Sequence, residues 1–455
     1  MRGDLSILTR QRASREQRRA LGASMRNRMP LAALADCPRI DERASANEII
    51  EAQNAFRNPD LVPLRYERMG PDAFAFYRGT AGVMASDLSL RPHSGIDVQL
   101  CGDAHLENFG IFASAERSLT FDLTDFDETL PGPFEWDVKR LAASFAIAGR
   151  VNGWGEKAER RAARTVGRAY REWITSLSER PTLDVWFARA DVDWMIGEIQ
   201  KPGLRQALTR AGKRARSKDV HKARLKLAER TGDEWHFRSD PPTLVPIDSN
   251  EHLDTIAHAF HHYRLTLPPD RIALLNRYSF VEAATKVVGV GSVGTRAYAL
   301  LFQSGDGEPL ILQAKQANAS VLEPYLSPSE FEHHGQRVVV GQRLIQSSSD
   351  PFLGWTRGNE ALPFDFYFRQ LWDMKGRIEI AELDGSSFEA YAAVCAAALA
   401  RAHARAGDAS LIAGYLDEGK AFDDAIADYA LGYADLVDSD YAAFRALRAQ
   451  DAPTA

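Results

Sequence analysis

The sequence predicts an α+β fold in two lobes. A β-rich small lobe lies in the middle of the chain, and a larger helical lobe is assembled from both ends. Three observations predict it. Residues Ser279 to Gln316 are rich in strand formers and punctuated by glycine turns. The stretches on either side carry apolar residues at helical spacing. Two motif clusters, one before the strand-rich stretch and one inside it, complement each other chemically. The chain of 455 residues is 45% hydrophobic and 26% charged, enough for a core divided between lobes.

Residues 1–60 read as an N-terminal helical arm. Its start is rich in arginine (Arg10, Arg12, Arg15, Arg18, Arg19) and lacks the apolar run of a secretory signal, which predicts an exposed arm. Asn47 to Arg57 has helical spacing and stops near Pro59. Residues 61–235 form the first part of the helical lobe. They hold strand-like runs at Asp97–Leu100 and Leu119–Leu123, then a helix from Trp136 to Ile147 with its apolar face inward. Lys201 to Arg230 carries eleven Lys or Arg against Asp219 and Glu229. Without interleaved aromatics this reads as a solvated helix face, not a nucleic-acid patch. Pro241-Pro242 and Leu267-Pro268-Pro269 mark a change of texture, and residues 236–380 form the β-rich lobe. Residues 381–455 return to helix, with an alanine-rich segment from Ser386 to Ala406 and an acidic end. Tryptophans 136, 186, 194 and 355 are expected in the core.

The totals narrow the class. A net charge of −6 offers no field for nucleic acid. Three cysteines, Cys37, Cys101 and Cys395, suit a reducing compartment and neither a disulfide framework nor a zinc site. No stretch approaches the ~18–20 apolar residues of a membrane span. The expected location is the cytoplasm, with no membrane or nucleic-acid partner.

The first motif cluster reads Cys101-Gly-Asp-Ala-His-Leu-Glu-Asn-Phe-Gly110, followed by Phe121-Asp-Leu-Thr-Asp-Phe-Asp-Glu128. The interval from Asp103 to Asn108 equals that of the kinase catalytic loop, Asp-x-x-x-x-Asn. Phosphoryl transfer needs one carboxylate beside the acceptor hydroxyl, and an Asn with a second carboxylate on magnesium. Asp103 is therefore the candidate base, and Asn108 and Asp125 are the candidate magnesium ligands. His105 joins Asp103 in the catalytic loop, more as a hydrogen-bonded support than as a proton shuttle. Asp122 and Asp127 rival Asp125, because alternation sends 125 and 127 to the same side.

The second cluster is Val287-Val-Gly-Val-Gly-Ser-Val-Gly294. A dinucleotide loop of this spacing opens a helix. Here strand formers follow (Thr295 to Phe302), then a turn, then Leu310-Ile-Leu-Gln-Ala-Lys315. A glycine hairpin whose next strand carries a lysine is how protein kinases hold nucleotide phosphates. Gly289, Gly291, Gly294 and Lys315 are thus the candidate ATP contacts. The order of the two clusters is reversed relative to an ordinary kinase, which implies a circular permutation, cheap where chain ends lie close together. Ser327 to Ile345 is then the helix supplying an acidic partner to Lys315. Tyr367 to Leu371 is the strand leading to a hinge, and Phe388 to Arg405 is the helix before the catalytic loop.

Cys101–Gly110, Phe121–Ala143, Tyr77-Arg-Gly79, Val321-Leu-Glu-Pro-Tyr325 and Asp350-Pro-Phe-Leu-Gly-Trp355 together resemble the bacterial domain-of-unknown-function family 2252 (DUF2252), over nearly the whole chain. The catalytic half also resembles the aminoglycoside phosphotransferase and choline kinase group. Gly102-Asp103-Ala104-His105-Leu106-Glu107-Asn108 fits that group's loop, with Cys101 in place of its first His. Asp125-Phe126 matches its metal-binding Asp-Trp, and Asp137-Val138 its Asp-Leu. This resemblance implies Asp103 as base, Asn108 and Asp125 as magnesium ligands, and His105 and Asp137 as loop supports. Val340 stands where the resembled family has Glu, so Glu323 or Glu332 is expected to pair with Lys315.

The implied function is an ATP- and magnesium-dependent phosphotransferase acting on a hydroxyl acceptor, a small molecule rather than a protein. The alternatives are a nucleotide-binding pseudokinase acting as a regulatory module, and a metal-dependent hydrolase built on His105.

Overall fold

The structure is a computed structural model that describes residues 13–217, 227–247, 250–287, 293–360, 362–371, 374–417 and 419–451. It is α+β, with helices dominating both ends of the chain and an antiparallel sheet between them.

The strands β1 (Asp97–Leu100), β2 (Phe109–Ala113), β3 (Leu119–Leu123) and β4 (Leu130–Pro133) form two antiparallel ribbons, β1 with β4 and β2 with β3. A hairpin of β5 (Ala228–Thr231) and β6 (Glu234–Phe237) turns at Gly232, whose φ of +64° suits glycine. The main sheet takes β7 (Leu244–Pro246), β8 (Tyr278–Lys286), β9 (Ala297–Ser304), β10 (Pro309–Ala317), β11 (Gly354–Arg357) and β12 (Asp365–Gln370). Its spatial order is β11-β12-β10-β9-β8-β7.

Alternation along the central strands decides what faces the rest of the molecule. Leu310, Leu312 and Ala314 of β10 join Phe366 and Phe368 of β12 in one apolar cluster, backed by Tyr263. The opposite face carries Gln313 and Lys315, directly across from Arg369 and Tyr367. The largest core mixes both ends of the chain: Leu34, Phe76, Phe121 and Phe145 pack with Phe388, Leu399 and Ile426.

The helix Phe134–Val151 departs from the one-faced burial expected of it. It is buried nearly all round, because the next helix, Glu156–Ser178, and helices from the C-terminal part of the chain close over it. Its charged residues go in with it and find partners there. Glu135 accepts from the Ser94 amide (2.6 Å) and hydroxyl (2.7 Å), and the Lys139 ammonium sits 4.3 Å from the centre of the Tyr429 ring.

The N-terminal helix Arg15–Met25 is docked rather than free. It is capped by Ser14 and Gln17, and it lies against the helix Ala409–Tyr415. A Cβ on Gly22 would stand 2.0 Å from the Leu411 carbonyl oxygen, and Arg18 pairs with Asp408 at 2.8 Å. The basic helix Pro202–Ser217 presents Arg210 and Arg214 to Glu382, and Arg216 to Asp193. Residues 218–226 of the basic stretch lie outside the described residues.

Two tryptophans are not core. Trp136 is buried, but Trp186 and Trp194 are 38% and 59% exposed. They sit on the short helices Thr182–Phe187 and Val192–Glu198, flanking a connection that hydrogen-bonds to the outer edge of β3 through Ala190. Arg405 covers Trp186, 3.8 Å from the ring centre.

Candidate functional site

The loop after β1 is held from behind. Asp137, in the first turn of the helix Phe134–Val151, accepts from the Cys101 amide (2.8 Å) and the Gly102 amide (3.1 Å). Behind it, His403 Nε2 lies 3.3 Å from Asp137, and the Tyr170 hydroxyl 2.8 Å from His403 Nδ1. Gly102 has φ +83°, and a Cβ there would stand 2.3 Å from the Glu128 carbonyl oxygen, so the close approach of the two acidic segments requires glycine.

Asp103 is set by this loop. The Asn108 side-chain amide donates to the Asp103 carbonyl at 2.7 Å. Arg140 grips one carboxylate oxygen through Nε (2.9 Å) and Nη2 (2.8 Å). Burial pushes the Asp103 carboxyl up to about 6, with Arg140 opposing the rise and Asp125 adding to it. His105 accepts from the Glu107 amide through Nδ1 (3.2 Å), and its Nε2 stands 3.7 Å from Asp103. Burial, helped by Arg140 and Arg78, drives its pKa well below the usual value, so the ring is neutral at pH 7.

The second acidic segment leaves β3 at Leu123. Asp122 points away from Asp125, into the core, where it meets Arg401 at 2.5 Å. Asp125 accepts from the Asp127 amide at 3.3 Å. Asp127 forms an ion pair with Lys315 Nζ and accepts from the Tyr367 hydroxyl at 2.8 Å. Burial works against the Lys315 ammonium, but Asp127, Tyr367 and Asp125 override it and hold it above the usual lysine range. The structure thus brings Lys315 to the acidic segments from across 188 positions of sequence.

The carboxylate on Lys315 is Asp127. Glu323 goes elsewhere: it accepts from the Ser320 amide (3.1 Å) and lies 3.8 Å from Arg337 Nε. Glu332 is exposed. The reason is local, because the helix that was to carry the acid starts only at His334 and sends Arg337 toward this region. Arg337 donates to the carbonyls of Thr129 (2.7 Å), Asp127 (2.8 Å) and Asn318 (2.8 Å), and so holds the Asp125–Thr129 turn to the strand that bears Lys315.

Gly294, the last glycine of the motif, has φ +92° and accepts from the Asn58 amide at 2.7 Å. Gly289 and Gly291 lie outside the described residues. Arg369 donates to Gln313 at 3.0 Å and lies over the Tyr367 ring.

Asp103, Asp125, Asp127 and Glu128 line one cleft together with Arg57 and Arg78, about 450 Å³ with its open mouth included. Among the described residues no three His, Cys, Asp or Glu side chains converge as a metal cage. Asn108 and Asp125 are oxygen donors of the kind magnesium takes one or two at a time.

Sequence reasoning named Asp127 as a rival of Asp125 for the ion, not as the partner of Lys315. It missed Arg140, Arg337 and Arg57, for which the local pattern holds no signal: each is defined by partners far away in sequence.

Glu128 accepts from the Val321 amide at 2.8 Å, and burial pushes its carboxyl up to about 7. A carboxyl raised in the folded state binds more protons there than in the unfolded chain. Its contribution to stability is full below about pH 4.5 and falls as pH rises through 7. Glu128→Gln is expected to flatten the decline in melting temperature between pH 5 and 8. An unchanged slope in the variant would refute this.

The fold and site define a class: an α+β protein in which a lysine of the central sheet pairs with a carboxylate of an acidic cleft contributed by an earlier part of the chain. The chain belongs to the DUF2252 family, described as an uncharacterized protein conserved in bacteria, whose model matches residues 57–447. No curated protein and no solved structure matches the chain.

Proposed function

We propose that this protein is an ATP- and magnesium-dependent phosphotransferase of circularly permuted, kinase-like build, acting on a small hydroxylated acceptor. The observation that carries the reading is the ion pair of Lys315 with Asp127 beside Asp103 and Asp125. A buried lysine among carboxylates is poised to exchange an internal partner for an anionic ligand.

The order of elements supports the permutation. The β8–β9 hairpin leads to Lys315 on β10, then to the helix His334–Ile345, then to β12, then to the helix Gly385–Ala406. The segment bearing Asp103 precedes all of them in the chain and packs beside them in space.

When bound, magnesium ATP would supply the transferable phosphoryl group and neutralise its developing charge. Lys315 would turn from Asp127 to the α- and β-phosphates. Asn108 and Asp125 would hold the ion. Asp103 would take the acceptor proton, its carboxylate fixed by Arg140 and its loop by Asp137. The hydrolase alternative needs His105 as a metal ligand. That ring already accepts from the Glu107 amide and is buried.

The test is ADP formation from magnesium ATP with a panel of hydroxylated small molecules. A base must be ionised to act, so turnover is expected to rise with pH through a midpoint near 6, the value to which burial raises Asp103. Nucleotide binding with no turnover on any acceptor would favour the pseudokinase. No binding would remove the reading.

A further inference from the structure

One wall of the cleft is not used by the reaction just described. It comes from the N-terminal segments and carries Gln53, Arg57, Arg78, Gly79 and Gly82 in the same cleft as the carboxylates. Lys315 pairs with Asp127 and Arg140 with Asp103, and this wall adds two guanidiniums to the cleft, that of Arg78 paired with Glu107 and that of Arg57 near Glu128 and Asp127.

Arg57 is anchored by its Nη1, which donates to the Val293 carbonyl at 2.5 Å. Burial pulls its pKa below the usual arginine range, and Glu128 and Asp127 offset only part of that. Arg78 lines the same cleft. Its Nη1 lies 3.0 Å from Glu107, while its buried Nε has no hydrogen-bond partner. A buried guanidinium N–H without an acceptor is costly, and carboxylate or phosphate oxygens satisfy it best. Just past Arg78, two glycines leave room for neighbouring side chains. A Cβ on Gly82 would stand 2.0 Å from the Gln53 side-chain amide, and one on Gly79 2.7 Å from the Met69 sulfur.

We propose, resting on the phosphotransferase reading above, that this wall is the acceptor subsite and that the acceptor is an anion. It is a small molecule whose carboxylate or phosphate group is held by Arg57 and Arg78 while its hydroxyl reaches Asp103. In the transfer, the hydroxyl oxygen bonds to the γ-phosphorus as the bond from that phosphorus to ADP breaks. The hydroxyl proton goes to Asp103, and ADP leaves with the electron pair.

The experiment is calorimetric titration of the full chain with inorganic phosphate and, separately, with succinate. Each is run alone and with saturating magnesium and a non-hydrolysable ATP analogue. One of the two anions is expected to bind saturably in both conditions, and the preferred anion tells phosphate from carboxylate. Arg78→Gln and Arg57→Gln are each expected to weaken that binding roughly tenfold. Arg377→Gln, on the exposed side of Glu107, should leave it unchanged. An unaltered melting temperature of the unliganded Arg78→Gln variant separates lost binding from lost folding. Absence of binding by both anions, or binding indifferent to both arginine substitutions, would overturn the subsite. Displacement of the anion by the ATP analogue would overturn it too, by moving the arginines to the donor phosphates. Arginine-dependent anion binding in a chain that ignores the nucleotide would leave the anion site standing and remove the phosphotransferase reading instead.

Discussion

Asp103→Asn is expected to lower phosphoryl transfer by roughly 10²- to 10⁴-fold, the usual contribution of a positioned general base. Asparagine keeps the shape of the side chain and an oxygen for Arg140, so the loop should hold its conformation through Asp137 and Asn108. Affinity for magnesium ATP should stay within about twofold, because in the proposed site Asp103 would contact the acceptor and not the nucleotide. The rise of activity through pH 6 should vanish in whatever turnover is left. Steady-state rates beside a binding titration of the same variant measure all three. Full turnover in Asp103→Asn would move the role of base to another carboxylate of the cleft.

Arg337→Ala is expected to give the largest loss of stability among the residues of the site, about 3–5 kcal/mol. The side chain is 2% exposed and donates to three backbone carbonyls drawn from two segments, Asp127–Thr129 and Asn318. Alanine would leave those acceptors buried without donors and remove the positive charge that faces Glu128 and Glu323. Because the three carbonyls belong to the turn bearing Asp127 and the segment just after β10, the same change should loosen the Lys315–Asp127 pair. Arg337→Lys keeps the charge but lacks the fork and should recover only part of the loss. Urea unfolding of the three proteins measures this. An Arg337→Ala variant within 1 kcal/mol of the parent would contradict it.

The sequence was most legible where period and punctuation agree. β8, β9 and β10 span the stretch that read as strand, overrunning it by one residue at each end, and the alanine-rich segment is the helix Gly385–Ala406. β1 and β3 match the short runs at 97–100 and 119–123. What alternation could not do was choose between Asp125 and Asp127, since it sends both to one side. The choice of Asp127 for Lys315 depends on Tyr367, which arrives from β12 to fix that carboxylate. Buried charges were also out of reach. Arg140 looks locally like one residue of an amphipathic helix, and only the chain packed around it makes that helix buried on every side. Trp194 shows the reverse error: a large apolar side chain is a good bet for the core, yet its short helix rides on the outside of β3. The arm's contact through Gly22 depends on a helix almost four hundred positions later, which no window of the sequence contains.

The account depends on Lys315 and Asp125 serving one nucleotide. Calorimetric titration of magnesium ATP into the parent protein, Lys315→Met and Asp125→Asn tests this directly. The parent is expected to bind, and each variant to bind at least tenfold more weakly, the loss of one charge-assisted contact. A parent protein that binds no nucleotide, or variants that bind as tightly as the parent, would contradict it.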